Sequence, residues 1–226
     1  RNFFCPRASA VPNRISGIIY APARVMKKLL ILLVALLPAC HPRQSGALFF
    51  WPRSLESLTA AAHITRDNAE NFESAARQAA AEERPGAERL LRALAHAERI
   101  QETGYVRAIR RMGGSYAPPE QVLVKVRSTR RNMERILARL QESRLQGYQT
   151  IDDVLKEGNR YVARLLIRNA AATNRCMHAV ERYMRQGERA ASAYWVCPQC
   201  GYLCDDGHRD PYCPQCLTDG RRFLRF

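Results

Sequence analysis

No histidine in this 226-residue chain stands three positions after a glutamate. A Glu-x-x-His pair would set two metal ligands one turn apart on a single helical face, so that ready-made helical site is absent. Histidines number only five, and aromatic residues make up 8%. Acids are also in deficit, with 21 against 36 bases and a formal charge of +15. The apolar run Leu29–Leu37 is nine residues long, where a membrane-spanning helix needs roughly 20. Strand-like alternation is scarce while Leu, Ala and Arg dominate, which leaves an all-α body as the expected class. The length suits one sizeable core and a small appended module.

Part of the basic excess lies at the start, since residues 1–39 hold six bases and no acids. The first methionine is Met26, and "MKKLLILLVALLPAC" follows it with two lysines, the short apolar run and Leu37-Pro38-Ala39-Cys40. This resembles a bacterial lipoprotein signal over 26–39, with Cys40 as the lipidated residue. The expectation is an exported, membrane-anchored protein facing the periplasm or cell exterior, with a cytoplasmic protein as the alternative. Residues 1–25 have no clear periodicity and are read as an upstream leader or start error. Residues 40–53 form a tether.

Helical periodicity begins at Ser54 and runs through Leu58, Ala62, Phe72, Ala75 and Ala79 to a stop at Arg84-Pro85-Gly86. A second period carries Leu90, Leu91, Leu94, Ala97, Ile100 and Ile109 to Gly113-Gly114. A third spans about Ser128 to Glu157, with Gly147 as a candidate kink, and a fourth follows Gly158-Asn159. Two long antiparallel pairs joined by a connection containing Pro118-Pro119 make a four-helix bundle over 54–190. Nine arginines lie between Arg107 and Arg144, but they scatter around the helix among Glu134 and Glu142. No nucleic-acid motif accompanies them. A solvated face is expected, with anionic headgroups as an alternative contact if the chain is lipid-anchored.

The tail, 191–226, changes character. Cys197-Pro-Gln-Cys200 and Cys213-Pro-Gln-Cys216 are separated by twelve residues. Each knuckle aims two sulfurs at one point, and two knuckles complete the tetrahedral four-sulfur set that zinc or iron prefers. Two disulfides are the competing arrangement in an exported protein. Gly201 is placed for positive φ, and Trp195, Tyr202, Tyr212 and Phe223 are placed to cover the sulfurs. Cys204 is outside the pairing, and Cys176 lies on an apolar stripe.

"SLESLTAAA", "RALAHAERIQ", "MGG" before the loop, "ERY" late in the fourth helix and "WVCPQCGY…YCPQC" together resemble rubrerythrin over Ser54–Phe226. The resemblance implies a ferritin-like bundle followed by a rubredoxin-like domain. It also implies one iron on Cys197, Cys200, Cys213 and Cys216 passing single electrons, and a homodimer paired head to tail. The family's di-iron site, which reduces hydrogen peroxide, does not carry over. Glu98 stands at one ligand position, but Gln101 replaces the histidine one turn on. His63-Ile64 stands where helix one should offer a glutamate, Leu140 and Ser143 stand in helix three, and helix four offers Thr173 and Cys176, or Arg175 and His178. Two irons need bridging carboxylates, so Glu98 alone is a residual ligand and di-iron is not expected. If buried, Glu98 needs an interior Arg, Gln101 or a proton.

The expected function is a rubrerythrin-like iron protein with its bundle peroxidase site lost. The alternatives are an active peroxidase or a zinc-knuckled, membrane-tethered scaffold.

Overall fold

The computed structural model describes residues 51–120 and 125–226. Cys5, the Leu29–Leu37 run and Cys40 lie outside the described residues. Four long helices come first: α1 (Pro52–Ala81), α2 (Pro85–Arg111), α3 (Thr129–Glu157) and α4 (Arg160–Gln186). Three short strands follow: β1 (Tyr194–Val196), β2 (Leu203–Asp205) and β3 (Leu224–Arg225). No helix of the described residues is long and apolar enough to cross a membrane.

Proline opens α1 and α2, where its fixed φ is already helical and the missing N–H would have had no partner. Three helix N-termini are capped by glutamates from elsewhere in the chain. Glu157, at the end of α3, accepts from the backbone N–H groups of Arg53 (3.0 Å) and Ser54 (2.9 Å) at the start of α1. Glu82 accepts from Thr129 N–H at 3.0 Å to start α3, and Glu188 accepts from Gly86 N–H to start α2. A carboxylate in this position satisfies orphan donors and complements the positive helix end. Hydrogen bonds from Gln78 and Thr129 hold Glu82 below the ordinary carboxylate pKa, and those from Ser54 and Arg53 do the same for Glu157 against the pull of burial. The fourth helix uses a local cap: Asn159 accepts from Val162 N–H at 3.2 Å. α3 continues as a helix through Gly147.

α1 packs along α2 and α3 along α4, with α1–α3 and α2–α4 contacts closing the bundle. The interior is divided into two apolar clusters. One holds Phe72 of α1, Leu94 of α2, Leu140 of α3 and Cys176 of α4. The other holds Ala62 of α1, Tyr105 of α2, Ile151 of α3 and Leu166 of α4. Between these two sets every helix turns polar residues inward: Thr65 and Asn68, Glu98 and Gln101, Ser143, and Asn169. The bundle therefore has a polar waist, and that waist is the level at which a bundle site would sit.

The tail folds as an antiparallel sheet in the order β2-β1-β3, with Trp195 opposite Cys204 and Arg225. It shares the first apolar cluster through Tyr194, Val196 and Leu203. Asp205, buried at the end of β2, ties it to α4 through Arg182 at 2.5 Å.

Candidate metal centre and bundle interior

The two knuckles are built alike. Gly201 N–H donates to the Cys197 carbonyl (3.0 Å), and Leu217 N–H donates to the Cys213 carbonyl (2.9 Å). The Cys197 and Cys213 N–H groups in turn donate to the carbonyls of Tyr202 (2.9 Å) and Thr218 (2.8 Å). This tight turn forces the residue after the second cysteine into the left-handed region, with φ +73 at Gly201 and φ +61 at Leu217. The same turn points the N–H groups of Gln199 and Cys200 at the Cys197 sulfur, and those of Gln215 and Cys216 at the Cys213 sulfur.

The four sulfurs lie within 4.8 Å of one another, with Cys197–Cys216 at 3.5 Å and Cys200–Cys213 at 3.6 Å. A disulfide requires about 2.05 Å. Four sulfurs about 2.3 Å from one tetrahedral ion stand about 3.8 Å apart, and the observed spacing matches that geometry. All four are free cysteines. The hydrogen bond from the Cys200 thiol, aided by the backbone donors, pulls Cys197 down to about 4, while giving that bond pushes Cys200 up. A divalent or trivalent metal bound at this point would displace the thiol protons and hold the sulfurs as thiolates.

Tyr202 and Phe223 are buried against the sulfurs, and Trp195 is half-buried beneath the Arg209 guanidinium, 4.0 Å from its ring centroid. Tyr212 does not cover the site. It is 60% exposed, and only its backbone is engaged, bridging Asp219. Cys204 is buried on β2 outside the cluster, its thiol pushed up to about 11 by burial. His208 Nδ1 lies 2.7 Å from Asp205 Oδ1.

The first knuckle sits directly on α2. A Cβ at Gly201 would stand 2.7 Å from the Ala97 carbonyl oxygen and 3.4 Å from Gln101 Cγ. Gly201→Ala therefore combines a backbone clash with a strained φ, and should lower the melting temperature by several degrees and weaken tail docking. Leu217, at the equivalent position, is 77% exposed. Leu217→Gly should be neutral to stabilising by roughly 1 kcal/mol, so a thermal melt of both variants checks the asymmetry.

At the polar waist, Glu98 is 2% exposed. Its carboxylate faces the Asn68 amide at 3.5 Å, and Asn68 in turn accepts from Arg139 Nε at 3.3 Å. Burial raises Glu98 to about 8, with Asn68 and Arg139 only partly offsetting it. Its support is thus the Asn68 amide with Arg139 behind it, together with a proton; Gln101 lines the same cavity with its Nε2 unpartnered. That cavity measures about 370 Å³, and Ile64, Ser143 and Thr173 line it too. Leu140 and Cys176 are buried in the apolar cluster.

His63, His96 and His178 are not among the residues that line this cavity. His63 packs on Tyr116 with ring centroids 5.4 Å apart, and His96 faces Phe226 of the tail at the same distance. His178 is exposed beside Glu181, so it is neither a ligand nor a packing residue. Among the described residues, the four cysteines form the only group of three or more His, Cys, Asp or Glu side chains whose ligand atoms come this close. Asn68, Asn169, Arg139 and Arg144 were not singled out from the sequence as residues of the waist.

A four-helix bundle with a four-cysteine knuckle domain after it is the architecture of the rubrerythrin class: a ferritin-like bundle and a rubredoxin-like tail. The solved structures it resembles include nigerythrin in its fully reduced, all-ferrous state and in a partially reduced state. Each has a TM-score of 0.72 at 20% identity, covering 76% of this chain and 86% of that one. A mixed-valent nigerythrin structure matches at 0.71. No protein-family model and no curated protein matches the chain. The fold is what this chain shares with those structures.

Proposed function

We propose that this protein binds one iron through Cys197, Cys200, Cys213 and Cys216 and serves one-electron transfer, its bundle peroxidase site having been lost. The observation that carries this is the contrast between the two sites: a complete four-sulfur cluster in the tail and a single buried carboxylate among the described residues of the bundle. Iron bound to the sulfurs would supply the one-electron exchange. The chain's part is to stabilise negative charge on the sulfurs with the N–H groups of Gln199, Cys200, Gln215 and Cys216, and to exclude water with Tyr202 and Phe223. Cys216 is the least covered ligand and gives the cluster its open edge.

The bundle residues do not fit a di-iron site. Glu98 is one buried carboxylate held near neutrality, whereas two irons require several anionic oxygens to offset about four positive charges. Gln101, Asn68 and Asn169 offer only neutral amides, and Ile64 offers no donor atom.

Metal analysis of protein expressed with iron and zinc both available tests this. The expected result is about one iron per chain, a ferric-thiolate visible band, no oxo-bridged di-iron absorption and no peroxide consumption with a reductant. Three irons per chain with peroxide turnover would restore the active peroxidase. One zinc and no colour would establish the scaffold alternative. We further propose a homodimer and, through a lipidated Cys40, a membrane-attached body. Cys40→Ser should then move the protein from membrane to soluble fractions, and retention in the membrane would refute the anchor.

A further inference from the structure

The polar waist has a feature that a vacated metal site does not require. Three of the residues that line the cavity each carry a buried nitrogen donor with no hydrogen-bond partner in the protein: Gln101 Nε2, Asn169 Nδ2 and Arg144 Nε. Gln101 and Asn169 are each 3% exposed. Asn169 reaches toward the Tyr105 hydroxyl without closing a hydrogen bond of good geometry. An unmet buried donor is costly, and no buried side-chain oxygen of the residues lining this cavity is similarly unmet. The demand is one-sided: the cavity asks for acceptors.

From these donors we infer that the cavity binds a small organic monocarboxylate, its oxygens taken by Gln101, Asn169 and Arg144 and its apolar body lying against Ile64, Leu166 and Ala170. The cavity's size, about 370 Å³, lies in the range of small-molecule sites. It reaches the surface beside the exposed Gln146 and Gln149 of α3, which gives a ligand a way in. Arg144 supplies the cation that distinguishes a carboxylate from a neutral carbonyl compound. The carboxyl of Glu98, held protonated by burial, does not repel an anion and can itself donate. Asp153, at the mouth, is exposed and therefore screened by solvent. A phosphate ester suits the cavity less well, because its second charge would meet the largely apolar wall of Ile64, Leu166 and Ala170.

Titration calorimetry on the full chain, with benzoate and hexanoate as probes and methyl benzoate and benzamide as neutral comparators, tests the inference. Saturable binding of a carboxylate, with the neutral comparators at least about tenfold weaker, is expected. Arg144→Gln should weaken carboxylate binding by about tenfold or more and leave the comparators unchanged. Ala170→Phe should abolish binding by filling the space while leaving all three donors in place. Both variants lie in the bundle, so unchanged helical circular dichroism and an unchanged thermal midpoint report that the bundle is intact, and the result is independent of whether the tail holds iron or zinc. No carboxylate binding to the folded wild-type chain would overturn the inference. So would equal affinity for methyl benzoate, or binding that survives Ala170→Phe.

Discussion

Replacing Cys213 by Ser should abolish metal binding and unfold the tail while leaving the four helices largely formed. Cys213 is fully buried, and its sulfur sits 3.6 Å from that of Cys200 in the cluster. The tail has only eight residues of strand and a small apolar group around Tyr202 and Phe223, too little to fold as an independent core. Structural four-ligand sites contribute about 10–16 kcal/mol of apparent binding free energy at neutral pH, and in such modules that is folding free energy. A serine hydroxyl at a buried ligand position loses most of it and leaves a polar group without a partner. Tyr194, Val196 and Leu203 would then leave the bundle's first apolar cluster, so the melting temperature of the helices should fall as well. The measurements are metal per chain, hydrogen exchange over 194–226 and helical circular dichroism. Cys204→Ser is the control: that thiol is buried but outside the cluster, so metal content should stay at the wild-type value. Full metal retention by Cys213→Ser would remove the four-sulfur assignment.

The parts of the molecule that could be read from the sequence were those fixed by short-range rules. The helices follow from apolar period and from the breakers at Pro85, Gly113 and Gly158, because these act within a turn of the chain. The four ligand cysteines were legible for the same reason, since a knuckle is a local turn and its duplication implies a shared ion. Glu98 and Gln101 could be singled out as a pair one turn apart, but not their surroundings. The Asn68 amide reaches Glu98 from another helix, and Arg139 belongs to a third, among arginines expected to be solvated. A signal was present in the gaps: along α1 the apolar stripe Leu58, Ala62 is interrupted by Thr65 and Asn68 before it resumes at Phe72, and Asn169 interrupts α4 in the same way. A polar gap at matching depth in several helices marks a waist, although one helix alone does not reveal it. The glutamate caps from Glu157, Glu188 and Glu82 were hidden as well, because each joins residues far apart in the chain.

Glu98→Gln should stabilise the protein at alkaline pH and flatten its pH dependence. The wild-type carboxyl is raised from 4.5 to about 8, first by burial, with the Asn68 hydrogen bond and the Arg139 charge opposing. Between those values the folded chain holds a proton there that the unfolded chain has released. Stability therefore falls as pH rises from about 4.5 to about 8, and this contribution is level above that. Each pKa unit corresponds to about 1.4 kcal/mol, so the cost at pH 9 amounts to a few kcal/mol. The groups around the carboxyl do not reverse the sign. Asn68 of α1 is neutral, Tyr105 of α2 and Cys176 of α4 are both pushed up by burial and remain uncharged, and Arg139 of α3 already enters as the opposing charge. Glutamine keeps the shape and the facing amide but has nothing to ionise. Denaturant unfolding at pH 5, 7 and 9 should show the two proteins close together at pH 5 and separating progressively, with the variant the more stable at pH 9. A Glu98 that instead held a metal in the bundle would give the opposite result: Glu98→Gln would then lose stability at neutral and alkaline pH, together with metal. The direction of the pH 9 difference thus separates a buried acid without a metal partner from a surviving metal ligand.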